Sequence, residues 1–159
     1  MTDPRSDLDQ LLHDQLERLE ALNQLLQDEQ TALVARDMEA LPGLLSRKVE
    51  LLGAVEADEQ RRVQLAAAIG DDHGEAGMEA CLERMPDPDA ARRRWHDLVE
   101  ALRQCRALND ANGRVIQKQQ TGVQRTMELL QEDTSASSAY GPDNASEPSP
   151  GGGREISRA

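Results

Sequence analysis

The sequence predicts an all-α fold: an elongated antiparallel three-helix bundle of coiled-coil type, with a long third helix and a disordered C-terminal tail. Three observations lead there. Aromatic residues make up 1% of the 159 residues, namely Trp95 and Tyr140 with no Phe, so the ring area that fills compact cores and pleated sheets is missing. Leucine recurs at alternating spacings of four and three over long stretches, the mark of a helical seam. After residue 132 the composition changes to Ser, Gly, Pro, Asp and Asn, with Gly151, Gly152 and Gly153 near the end. Such a segment buries too little apolar area to offset its ordering entropy.

The first helix is expected over about 5–35. Asp3 is placed to cap it and Pro4 to occupy its first-turn region. Leu8, Leu12, Leu19, Leu22, Leu26 and Leu33 form the seam, with Gln15 and Glu29 at the two remaining positions. Leu11, Leu16 and Leu25 widen the stripe enough to touch more than one neighbour. A second helix follows over about 38–69, capped by Asp37 and closed by Gly70, since the left-handed position after a helix favours glycine. Its stripe reads Leu41, Leu45, Leu52, Val55, Ala66 and Ile69, with Lys48, Glu59 and Arg62 also at seam positions. Pro42 conflicts with a start at Met38, because a proline past the first turn breaks the hydrogen-bond ladder. The first turn is therefore expected to bend or restart.

Residues 71–89 read as an acidic connector, seven acids against Arg84 alone, with room for a short helix around 75–85. Asp87 and Pro88 then form a cap and a first helical position. A third helix over about 88–132 would be roughly 65 Å long, against about 45 Å for each of the others. Its seam runs Trp95, Leu98, Leu102, Cys105, Asn109, Asn112, Ile116, Gln119, Val123, Thr126 and Leu130, apolar at first and polar in the middle. Gly113 and Gly122 weaken it by about 1 kcal/mol each relative to alanine. The helical domain thus spans 1–132 and the flexible tail 133–159.

Charge narrows the function. Thirty acidic against 18 basic residues give a net charge of −12, which speaks against nucleic acid or an anionic membrane as the main partner. The first residues are acidic and polar, and no apolar run approaches the roughly 20 residues that span a bilayer. A cytoplasmic location without direct membrane insertion is expected. Cys81 and Cys105 lack any CxxC or Cys/His spacing and read as reduced thiols. His13, His73 and His96 stand on different elements, so neither a metal site nor a cofactor is expected. No catalytic constellation stands out, and the chain reads as a non-enzyme. Within the third helix, Arg92, Arg93 and Arg94 form the one basic cluster and read as a complement to the acidic connector.

Several of these residues also carry a family resemblance. Glu29, Ala32, Leu33, Asp37, Leu41, Leu44, Lys48, Leu51 and Leu52, then Arg62 and Gly70, followed by Leu108, Asn109, Asn112, Gly113 and Ile116, are similar in order to the FlgN family of flagellar export chaperones. Tyr140, Gly141, Pro142 and Asp143 resemble that family's tail motif, with Asn144 where a glycine is common. The resemblance covers roughly 5–145. It implies a cytoplasmic chaperone that binds the C-terminal helical segments of the hook–filament junction proteins FlgK and FlgL, keeps them from assembling early and delivers them to the flagellar export gate. It also associates the tail tyrosine, here Tyr140, with docking at that gate.

The client is expected on the distal half of the third helix, at Asn112, Ile116, Gln119, Val123, Met127 and Leu130. This stretch outruns the other helices by roughly 20 Å on the rise-per-residue arithmetic, and an uncovered apolar stripe marks an interaction site. The alternative for the same positions is a plain polar layer of a coiled coil. Two other functions stay open: a homo-oligomeric coiled-coil scaffold, and a histidine-phosphotransfer bundle. The second fits poorly, because His13 is followed by Asp14 and Gln15 instead of a basic neighbour.

Overall fold

The computed structural model describes residues 2–70 and 75–139, with side chains placed except at 75, 76 and 133–139. All of its regular structure is helical: α1 (Pro4–Ala35), α2 (Leu41–Ile69), α3 (Glu75–Glu83) and α4 (Pro88–Ala139). The expected three helices are therefore four among the described residues. The chain divides into two compact units, Met1–Gln119 and Gln120–Ala159. The expected tyrosine motif at 140–143 lies outside the described residues.

Local chemistry sets the helix ends. The Asp3 carboxylate accepts from the Arg5 N–H at 3.1 Å, and Pro4 opens α1. At the other end Arg36 turns left-handed (φ 53°), and the N–H of Asp37 reaches the Ala32 carbonyl at 2.9 Å. Asp37 then accepts from the Ala40 N–H at 3.2 Å, holding a turn before α2. The second helix thus starts at Leu41 rather than at 38, and Pro42 falls in the first turn, where its missing N–H costs nothing. Gly70 closes α2 at φ 119°. The Arg84 guanidinium donates to the Ile69 and Gly70 carbonyls at 3.0 and 2.8 Å, so a Cβ at Gly70 would collide with it. Asp87 accepts from the Ala90 N–H at 3.2 Å, and Pro88 begins α4, which continues to Ala139 rather than ending at 132.

In the first unit, α1 is the spine. Leu8, Leu12, Leu19, Leu22, Leu26 and Leu33 are all buried, with Leu11, Leu25 and Ala32 beside them. The helix α2 runs antiparallel to it, joined by the ion pairs Arg18–Asp58 and Lys48–Glu29. The helix α4 runs parallel to it. Cys105 donates to the Leu19 carbonyl, Asn112 to that of Leu26 and Gln119 to that of Leu33, each 86 positions apart in sequence.

Two sequence expectations are corrected here. The connector is not merely acidic: Met78, Cys81, Leu82 and Met85, in and just after α3, join the buried core. A short helix with an acidic outer side still presents an apolar inner side. The face that α2 turns inward is the expected one only in part: Val55, Ala66 and Ile69 lie on it as expected, and Leu45 and Leu52 do not. Leu45 and Leu52 are exposed, while Leu44, Leu51, Val55, Leu65 and Ile69 pack on the core. The true seam is Leu44, Lys48, Leu51, Val55, Asp58, Arg62, Leu65 and Ile69, a regular four–three repeat with three charged members. Those charges are matched: Lys48 to Glu29, Asp58 to Arg18, and Arg62 over the Trp95 ring at 5.0 Å.

Candidate protein-binding surface

The titratable groups are dispersed. Among the described residues no three His, Cys, Asp or Glu side chains come together as a metal-ligand group. His13 is exposed and lies 3.5 Å from Glu17, one turn further along α1. Both cysteines are buried and free of disulfide bonds. Burial pushes the Cys105 thiol up, against a smaller opposing hydrogen bond with Asn23, so its thiolate is scarce. The arginine cluster is used internally: Arg92 lies 3.4 Å from Asp89 and 3.7 Å from Glu83, and Arg94 pairs with Asp9 of α1. No described helix is long and apolar enough to cross a membrane.

The six positions expected to bind a client fall into different settings. Asn112 is fully buried. Its Nδ2 donates to the Leu26 carbonyl and to Glu29 Oε1, both at 2.9 Å. It is therefore a member of the polar layer that the sequence left as the alternative. Gln119, half-buried, spends its Nε2 on the Leu33 carbonyl at 2.8 Å. Ile116, still in the first unit, is 38% exposed. In the second unit, Val123, Met127 and Leu130 are 61%, 59% and 60% exposed. Their spacings of four and three put these three side chains on one face of the helix, where Thr126 bonds its own backbone, Oγ1 to the Gly122 carbonyl at 2.9 Å. Tyr140 lies outside the described residues.

A second apolar surface escaped the sequence reading. Val34, Met38, Leu45, Val49 and Leu52 are exposed around the α1–α2 turn and along α2. At the same turn is an open groove of about 550 Å³, lined by Asp28, Thr31, Ala32, Ala35, Asp37, Ala40, Gly43 and Leu44. The signal was available in the doublets Leu44–Leu45 and Leu51–Leu52, which supply two stripes where a helix on one partner can bury only one.

Comparison with known proteins is consistent with this architecture. The model of the family described as FlgN protein matches residues 1–148. A solved structure of a flagella synthesis protein FlgN from Pseudomonas aeruginosa is similar at 27% identity, over 77% of this chain and 95% of that one, with a TM-score of 0.65. No curated protein matches.

Proposed function

Because the chain belongs to the FlgN family, we propose that it is a cytoplasmic flagellar export chaperone, one that binds the C-terminal helical segments of FlgK and FlgL and carries them to the export gate. The observation that supports this reading most directly is the exposed run Val123, Met127 and Leu130 on one helix face. Junction-protein segments that polymerise later present an apolar helical stripe, and a second apolar stripe is what covers it. A three-residue stripe of moderate area also favours release, since affinity depends on the few anchors that are well buried. Tyr140 supplies a ring and a hydroxyl for a separate docking step at the gate.

The test is calorimetry of the chain with a C-terminal segment of each junction protein. Saturable binding with a negative ΔCp is expected, and Val123→Asp together with Met127→Asp should reduce affinity at least tenfold. Tyr140→Ala should leave that affinity unchanged and weaken association with the cytoplasmic domain of the gate. Light scattering separates the competing scaffold reading: a concentration-dependent oligomer that the same two aspartates dissolve would make the stripe a self-association surface.

A further inference from the structure

Inside the first unit one residue from each of three helices meets in a single polar layer. Glu29 of α1 is held by Lys48 Nζ of α2 at 3.1 and 3.2 Å, and it also accepts from Asn112 Nδ2 of α4 at 2.9 Å. Glu29 and Asn112 are buried, and Asn112 Oδ1 finds no donor among the described residues. Stability alone does not account for such a layer. Well-packed hydrophobic side chains in place of a buried ion pair are commonly as stable or more so, and a buried acceptor without a donor is a cost.

What the layer does supply is discrimination. Leu12, Leu19, Leu26 and Leu33 recur every seven residues along α1, so sliding α4 by one heptad would replace leucine with leucine. The donors at positions 105 and 119 discriminate less, because they land on backbone carbonyls, Leu19 and Leu33, and a carbonyl recurs at each position along α1. Glu29 is the one carboxylate among the buried residues of α1. A slip one way takes the Asn112 amide from Glu29 to the apolar Leu22, and a slip the other way takes it past the end of α1 to Arg36. Either leaves a buried amide without its anionic partner.

We propose that Glu29, Lys48 and Asn112 form a register lock, selecting the 86-residue offset between α1 and α4 from heptad-shifted arrangements that the leucine seam accepts. A single buried asparagine plays the same part in coiled coils, where it specifies register at a cost in stability.

The experiment uses the whole chain with Cys81→Ala and Cys105→Ala, spin-labelled at the exposed positions 10 and 114, and reads distances by pulsed electron resonance. One heptad of slip moves one label by about 10 Å along the helix relative to the other. The parent should give one distance. The variant Glu29→Leu, Lys48→Leu, Asn112→Leu should give two or more populations about 10 Å apart, with no fall in its urea midpoint. The variant Glu29→Gln, Lys48→Gln, with Asn112 kept, should restore a single distance through hydrogen bonding without charge. A single parental distance in the leucine variant would overturn the lock, and so would loss of its helical fold, because the premise is that leucine is tolerated at all three positions. Multiple distances in the glutamine variant would overturn the hydrogen-bonded layer as the selecting element.

Discussion

Two stretches of α4 reverse what their composition leads one to expect. Within 105–119 a thiol and two amides, Cys105, Asn112 and Gln119, turn inward beside Leu108, all three donating to α1. Within 123–130 every side chain is exposed, the apolar Val123, Met127, Leu129 and Leu130 included. The same four–three spacing runs through both. Spacing therefore identifies which residues share a face, and polarity does not say whether that face is covered. An amide is kept inside because it completes a neighbour's hydrogen bonds.

The contrast can be broken from either side. The largest effect should come from Lys48→Met, which leaves the Glu29 carboxylate buried without its cation. A loss of about 3 kcal/mol in urea unfolding is expected, and a loss below about 1 kcal/mol would mean that water reaches the layer freely. Asn112→Leu removes the donor that Glu29 Oε1 shares and should cost about 1–3 kcal/mol. Introducing a charge in the distal stretch should barely register on the same scale. Val123→Asp is expected to change stability by less than about 0.5 kcal/mol, and a cooperative loss several times larger would put that stripe in a core.

The smallest effect belongs to a half-exposed pair. The Arg62 guanidinium, hydrogen-bonded to Glu59, holds that carboxyl below its usual range. A depressed folded value stabilises the protein above the ordinary carboxylate range, and the gain is lost as pH falls through the folded value. Solvent screening keeps it to a few tenths of a kcal/mol. Glu59→Gln should therefore lower the unfolding midpoint slightly at pH 7 and leave it unchanged near pH 3. An equal effect at both pH values would assign the loss to packing.

Much of this was legible in the residues alone, where the cause is local. Asp3 with Pro4, Gly70, and Asp87 with Pro88 each mark a helix end through bonds made within a few residues. The leucine spine of α1 was legible as well, since six of the eight members of its seam are leucine. The start of α2 was misplaced because Asp37 could cap at once or after a further turn, and Pro42 settles the matter only when the Asp37–Ala40 hydrogen bond is seen. The buried side of α3 was hidden under the acids of the connector. Asn112 was named for the right face and the wrong environment.

By itself, then, the sequence determined the all-helical class, most of the helix ends, and the face on which α1 packs, because capping and apolar periodicity act over one or two turns. Only the tertiary structure decided which of two leucine stripes on α2 turns inward. The two stripes share Lys48, Val55, Arg62 and Ile69, and the observed one takes Leu51 and Asp58 where the other takes Leu52 and Glu59, because Arg18 stands opposite Asp58 as Glu29 does opposite Lys48 and the Trp95 ring opposite Arg62. A buried charge is tolerable only beside its partner, and that partner is supplied by another helix.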